Sequence, residues 1–546
     1  MSPCWTGIVG AFNCNLFTIY KIVNNAKDGS SERHAALGLI SLVFCAWIAC
    51  GIFPNLATAT ETYTARQIAD ALNVRDFGAK GDGTTDDSAA LQSALDAAHS
   101  KGTIVYVPGG TYLVRHHLNF KSGTTVYGYG ATILRGYDKD SSNFGSTAWL
   151  VRDSAQDPVC RDVRIYGLTF DNNAQNYHAN SQNIITIGPM VSGNQFRAED
   201  VWFVDCTFQN WINQHALDVA ATRGLRVLRC TFRDVLYVQE MAVDKFSWSR
   251  WEAIQLDCRG WNFDPPLPLD QDWLIEGCTF EAHNGENVTF PAGTQFRNGA
   301  VTLNKDLVVP FVAPRTGVGQ HSGPNYADTS YKNIRIVNNT FSGCGYAAVT
   351  LYGASDSIVS GNSIYDCYHG VEVDTRLTFD GGTMYRFAAD NVTISGNVMI
   401  KPDTSASYQA CEADAIRVVI NPFKARVTTP GFSGQKVCSC GLKVSGNTIS
   451  GYCRAVFAPG VIDALVEGNF VDHCVGLFTG AGFRVSIIGN KTVSTGGIHI
   501  TQNHWLYVPN RTDASASGNI VIRGNTFQNT KAKAVLKNIT TYKHKR

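Results

Sequence analysis

Along most of this chain, apolar and polar residues alternate in short runs. Each run closes on Gly-Asn or an equivalent, then on Thr-Phe or a relative. Asn333 to Phe341 is one copy; Asn391 to Met399, Gly441 to Ile449 and Asn519 to Phe527 are others, and the phrase recurs from Asp162 to Phe527. Period-two alternation predicts half-buried strands, and recurrence predicts stacked repeats rather than separate domains. The Asn-or-Cys position aligns Leu168, Cys206, Cys230, Cys278, Asn339, Asn362, Asn397, Asn447, Asn469, Asn490 and Asn525, with shortest spacings of 21 to 24 residues. That length suits one turn of a three-strand solenoid, about eleven turns in all. Asn fits here because it tolerates left-handed backbone and its amide can bond to the Asn above and below.

A second strand lies between successive copies. It starts at His215, Glu252, Asn298, Ala347, His369, Asp414, Arg454, Val475 and Gly496. Its inward column is expected to be Leu217, Ile254, Val301, Val349, Val371, Ile416 and Val456. One outward column is Asp218, Gln255, Thr302, Thr350, Glu372, Arg417 and Phe457; a further one holds Ala220, Asp257, Asn304, Tyr352, Asp374 and Val419. Constant phase favours parallel strands stacked coil on coil. Residues 86–102 supply a helix to cover the open first coil, with Asp86 as N-cap, Gly102 as stop and an apolar stripe of Leu91, Ala94, Leu95 and Ala98.

Composition adds bounds. The chain has 546 residues, 44 % hydrophobic and 17 % charged, with formal net charge +1. A large core is available, and the charge balance argues against nucleic acid as a partner. Residues 35–53 are uncharged and long enough to span a bilayer, with Lys21, Lys27 and Arg33 before them and Ala57-Thr58-Ala59 after. Residues 1–60 therefore read as an export signal or a membrane anchor, with residues 61–546 outside the cytoplasm as a secreted, periplasmic or surface domain. Lys531 to Arg546 reads as a solvated basic tail. Cys206, Cys230 and Cys278 share one phase of the repeat and Cys344, Cys367 and Cys474 another, which suits small stacked core residues better than a disulfide scaffold. No Cys spacing suits zinc.

Val74 to Leu95, containing Gly78, Gly81-Asp82-Gly83-Thr84 and Asp86-Asp87, closely resembles the opening of the pectate-lyase superfamily, as does Val107-Pro108-Gly109-Gly110-Thr111-Tyr112. The resemblance, over residues 73–530, implies an all-β, right-handed parallel β-helix with an asparagine ladder. Residues 73–135 would hold the N-terminal cap and first coils, and residues 160–530 the repeat coils. It also implies an extracellular protein acting on polysaccharide. Lyases, glycoside hydrolases, epimerases and phage tailspikes share the fold, so the resemblance leaves reaction and trimerisation open. The polygalacturonase motif set, the Asp-Pro-His-Asp of alginate epimerases and the Arg-x-Pro-x-x-Arg of pectate lyases are not found.

Long insertions flank the second strand while the Asn corner stays tight, so that strand is the expected floor of a groove. Two clusters fall on it. The upstream one is His215, Asp218, Glu252 and Asp257; the downstream one is His369, Glu372, Asp374 and Arg376, with Asp414 and Arg417 one coil on. Glu372 and Asp374 should stand about 7 Å apart on one strand face, the range for an acid and a base with water between them. Candidate catalytic groups are Glu372, Asp374, His369, Arg417, Asp218 and Asp257; candidate substrate contacts are His215, Glu252, Tyr352, Arg376, Asp414, Trp251 and Trp261. The bland reading of Glu372 with Arg417 is a surface ion pair; that of the histidines is a bond to loop carbonyls. Hydrolysis by the paired carboxylates is the first expectation, without a cofactor. Elimination on a uronate polymer, with His369 as base and Arg376, Arg417 or Ca²⁺ neutralising the carboxylate, is the second. A non-catalytic glycan binder or adhesin is the third.

Overall fold

A computed structural model describes residues 70–136, 147–151, 159–176, 183–187, 198–238, 251–257, 269–283, 285–296, 301–320, 331–380, 383–387, 389–402, 413–423, 439–500, 519–529, 535–536 and 542–544. The chain divides into Met1–Thr64 and Ala65–Arg546, and the expected signal or anchor lies outside the described residues. Among the described residues, no helix is long and apolar enough to cross a membrane.

The alternating runs form parallel strands, each pairing with its counterpart one coil away. They make a 30-stranded and a 16-stranded sheet wound into a right-handed parallel β-helix. The Thr-Phe strands stack in unbroken register, Thr169 on Thr207, Thr231, Thr279 and Thr340, and the phenylalanines that follow them point inward. Phe170, Phe208, Phe232, Phe280 and Phe341 stack with centroids 5.3, 4.8, 4.8 and 4.6 Å apart. Parallel strands one coil apart impose that spacing, so a repeated aromatic becomes a continuous stack.

The asparagine ladder runs from Asn339 to Asn525. Each Nδ2 donates to the Oδ1 of the next coil's Asn, at 3.0 Å for Asn339 to Asn362 and 2.9 Å for Asn362 to Asn397 and for Asn397 to Asn447. The same Oδ1 accepts the backbone N–H of the preceding Asn, while the second Nδ2 hydrogen goes to a carbonyl one coil back, as Asn397 does to Val359. Upstream, thiols take over this pattern. Cys278 Sγ donates to the Val227 carbonyl at 3.3 Å and accepts from Cys230 N at 3.4 Å. Cys230 Sγ reaches the Phe203 carbonyl at 3.4 Å. Cys206, Cys230, Cys278, Cys344, Cys367 and Cys474 are buried and unbridged, as their phase suggested.

The structure differs from the sequence reading in four places. Left-handed backbone falls on the residue before each ladder Asn, as at Gly361 (φ 66°), Gly396 (φ 63°) and Gly446 (φ 63°), which explains why the phrase reads Gly-Asn. Helix α1 (Ser88–Lys101) starts after Asp87, and Asp86 instead accepts the Ser88 N–H at 3.0 Å. Val535–Leu536 and Tyr542–His544, expected as tail, pair with Ile498–Ile500 and Ile520–Arg523. Val301 and Thr302 are not on the floor: they pair antiparallel with Gln295–Phe296 in a lateral excursion. Apolar alternation alone could not separate that hairpin from a coil strand.

The floor strands are β1 (Asn183–Ile187), β2 (Leu217–Ala220), β3 (Glu252–Asp257), β4 (Thr316–Gly319), β5 (Ala347–Tyr352), β6 (His369–Asp380), β7 (Asp414–Phe423) and β8 (Arg454–Glu467). Val318 and Gly319 replace Val301 and Thr302 in their columns. Beyond Asp374, β6 leaves the coil as a ribbon, pairing with β7 as far as Thr378 on Phe423 and folding back antiparallel onto Thr383–Phe387.

Asn397→Ala would strip Val359 C=O and both Asn362 donors of their partners, at a cost of about 3–5 kcal/mol. Asn397→Cys should recover part of that, since a thiol both donates and accepts. Denaturant midpoints test this; a loss below about 1 kcal/mol for the alanine variant would show that the ladder bonds contribute little.

Candidate functional site

The register sets the floor. Thr350, Glu372, Arg417 and Phe457 follow one another in one column, and Tyr352, Asp374 and Val419 in the next. Glu372 is 2 % exposed and Asp374 1 %, so both carboxylates lie at the base of the site. Three side chains face Glu372. The Tyr346 hydroxyl lies 2.8 Å from Oε2 and 3.0 Å from Oε1, the Tyr352 hydroxyl donates to Oε1 at 2.5 Å, and Arg417 Nε stands 3.5 Å from Oε2. Tyr346 has one proton for two oxygens, so one of its contacts can give way to water.

His369 and His215 occupy equivalent corners with opposite tautomers. His369 Nδ1 accepts the Asp414 N–H at 3.1 Å, which puts the ring proton on Nε2, and Nε2 faces Arg417 Nη1 at 3.2 Å. Two donors therefore stand side by side, an arrangement that an anionic or hydroxyl acceptor placed against both would relieve. His215 Nδ1 donates to the Glu252 carbonyl at 2.8 Å, which puts its proton on Nδ1.

Asp414 is held by Arg454 through both carboxylate oxygens, at 2.5 and 2.9 Å. Burial pushes its carboxyl above the ordinary 3.8, against the pull of that guanidinium. The pair fills the strand corner, so Asp414 braces the site rather than lining it. Glu372 with Arg417 is also more than a surface pair, because the carboxylate is buried.

Upstream, Asp218 and Gln255 share a column and Asp257 lies beside Ala220. Asn183 Nδ2 donates to Asp218 Oδ2. A third carboxyl joins them. Asp270 Oδ1 accepts Thr222 N–H at 2.7 Å, and the side chain is fully buried. Burial raises its pKa well above 3.8, and the charges of Asp257 and Asp218 raise it further. Sequence reading missed Asp270 because it precedes the next strand, outside the floor alignment. It missed Tyr346 for a similar reason, since that residue precedes β5; Arg454 stood in the alignment at the start of its strand, with no signal in its own coil that it pairs with Asp414.

Of the remaining candidates, Tyr352 is buried and bonded to Glu372 rather than open to ligand. Trp251 is buried and stacks on Tyr237 with centroids 6.2 Å apart, a packing role. Trp261 and the Arg376 side chain lie outside the described residues. Among the described residues, no three His, Cys, Asp or Glu side chains converge to hold a metal.

Residues 71–215 match the model of the family described as Rhamnogalacturonase A/epimerase, pectate lyase-like. Over that stretch the chain is similar to pectate lyase-like domains. It is 30 % identical over 319 residues to plasmin and fibronectin-binding protein A of Streptococcus pneumoniae, covering 56 % of this chain and 41 % of that protein. It is 38 % identical over 117 residues to alginate lyase 7 of Azotobacter vinelandii, covering 19 % of this chain and 13 % of the relative. The chain thus spans less than half the length of these curated relatives. PfbA, a surface adhesin of Streptococcus pneumoniae, superposes with TM-score 0.54 at 19 % identity, covering 85 % of this chain and 93 % of that one, a likeness of fold.

The raised Asp270 has a signed consequence. Its contribution to stability is fully present below about 3.8 and is lost as pH rises through the raised folded value. Asp270→Asn keeps an acceptor for Thr222 N–H and removes the buried charge. The variant should therefore gain stability over the wild type as pH rises from acid to neutral, with the gap closing below the ordinary carboxylate range. Melting curves from pH 3 to pH 8, a window set by ordinary carboxylate titration, test it, and a pH-independent gap would refute it.

Proposed function

We propose that the protein is an extracellular polysaccharide-degrading enzyme that hydrolyses glycosidic bonds in the groove above β5, β6 and β7. The observation that carries this reading is the pair Glu372 and Asp374. They are two buried carboxylates on one strand face, with Tyr346, Tyr352 and Arg417 gathered round the first and His369 against Arg417. Same-face neighbours on a strand stand about 6.5–7 Å apart, which admits a water between acid and base and predicts inversion at the anomeric carbon.

Glu372, which accepts bonds at both oxygens, takes a proton from water as the water oxygen attacks the anomeric carbon. Asp374 gives its proton to the departing glycosidic oxygen as the C–O bond breaks. Arg417 and the Nε2–H of His369 offer two donors to an acceptor on the sugar, which suits an acidic residue. Asp414 and Arg454 hold the corner beneath them.

A second reading rests on the 30 % identity to a plasmin and fibronectin-binding protein: a surface binder that holds glycan or protein without turnover. Elimination on a uronate polymer is the third outcome.

Polygalacturonate, alginate and a neutral α-1,3-glucan, followed by new reducing ends and by ultraviolet absorbance, separate the three. Hydrolysis gives reducing ends without absorbance, elimination gives both, and a binder gives neither. Glu372→Gln and Asp374→Asn should each lower turnover by on the order of 10²–10⁴ with polymer binding retained. Unchanged turnover and binding in both variants would sink the assignment.

A further inference from the structure

The corner that leads into β6 carries an apolar patch that the hydrolytic reading does not use. Tyr365 is 39 % exposed, Tyr368 37 % and Ile400 37 %. Large apolar side chains at this exposure are few among the described residues, and these three come from one corner. Tyr365 and Ile400 are register partners on adjacent coils, so they stand side by side about 4.8 Å apart along the axis. Tyr368 follows Tyr365 round the same turn. Lys401 ties the two coils together, with Nζ 3.4 Å from both Asp366 Oδ1 and the Cys367 carbonyl. That ion pair leaves the edge of the patch without net charge.

The patch is continuous with the groove. The Tyr368 ring meets the His369 imidazole with centroids 4.6 Å apart at 68°, and His369 faces Arg417 in turn. A chain bound over Glu372 and leaving past His369 would cross Tyr368 and then reach Tyr365 and Ile400. The chemistry there is flat, apolar and neutral, with phenol hydroxyls at the rim. It fits the C–H face of a pyranose, which buries its apolar side on an aromatic ring while its hydroxyls stay in water. Three half-open side chains are too small an area for a stable protein interface, which needs about 800 Å² from each partner.

We propose that Tyr365, Tyr368 and Ile400 form a sugar-stacking platform outside the groove. It binds units of a polysaccharide chain that lie beyond those reaching Glu372 and Asp374. This rests on the reading of the ligand as a glycan, but not on the chain being cut.

The test compares the full chain with Tyr365→Ala alone, with Tyr365→Ala/Tyr368→Ala and with Tyr365→Phe/Tyr368→Phe. Alginate, polygalacturonate and α-1,3-glucan serve as probes, each as polymer and as disaccharide, and affinity is read by gel retardation and calorimetry. For a polymer that the wild type binds, the alanine pair should weaken affinity on the order of tenfold. The phenylalanine pair should keep it, because stacking needs the ring and not the hydroxyl. Disaccharide affinity, turnover at saturating polymer and melting temperature should stay unchanged in the phenylalanine pair and in Tyr365→Ala alone, which leaves the Tyr368 ring on His369. Polymer affinity equal to the wild type in the alanine pair overturns the platform. So does equal weakening of polymer and disaccharide in Tyr365→Ala alone, or a wild type that binds none of the three polymers. Binding without cleavage overturns the hydrolase reading alone, and the affinity comparison still decides the platform.

Discussion

One interaction fixes the register of this molecule: a side-chain amide that bonds to its own kind one coil away. Parallel strands can slip past one another, and a slip of one residue would turn every floor carboxylate into the core. The Asn column forbids this, because between its end rungs each Oδ1 meets two donors and each Nδ2 two acceptors. The back of the coil is thus pinned rung by rung, and the floor on the other side inherits its alignment. Glu372 lies between Thr350 and Arg417 because Asn339, Asn362 and Asn397 lie over one another. Cysteine does the same with a weaker donor and acceptor, which extends the pinning upstream without changing its geometry.

The floor shows what a pinned register permits. Buried carboxylates, which isolated strands could not hold, are surrounded by partners that arrive from neighbouring coils: Tyr352 and Arg417 for Glu372, Arg454 for Asp414, Asn183 for Asp218. Each such contact crosses tens of residues in sequence and one step in space. The long-range polar network therefore requires little long-range folding information beyond the coil itself.

Much of this was legible in the sequence. The strand phase, the Asn column and the floor columns around Glu372, Asp374 and Arg417 follow from period-two alternation and repeat spacing. The left-handed position was misassigned by one residue, because Gly and Asn both tolerate it and the sequence does not say which uses it. The Asn298 copy was a false match, since an antiparallel hairpin alternates as a coil strand does. Asp270 and Tyr346 were illegible for a different reason. They act from corners, where the chain turns and the alternation that reveals facing is lost.

The ribbon formed by β6 and β7 has a consequence for descent. The strand that carries Glu372 and Asp374 on the coil continues outward as a ribbon, so one segment holds both the carboxylates proposed to react and the backbone beside them. Changes of length or composition past Asp374 can reshape the mouth without shifting the carboxylates, whose positions are dictated from the opposite side of the coil. A lineage built this way can vary the chain past Asp374 and leave both carboxylates where they were.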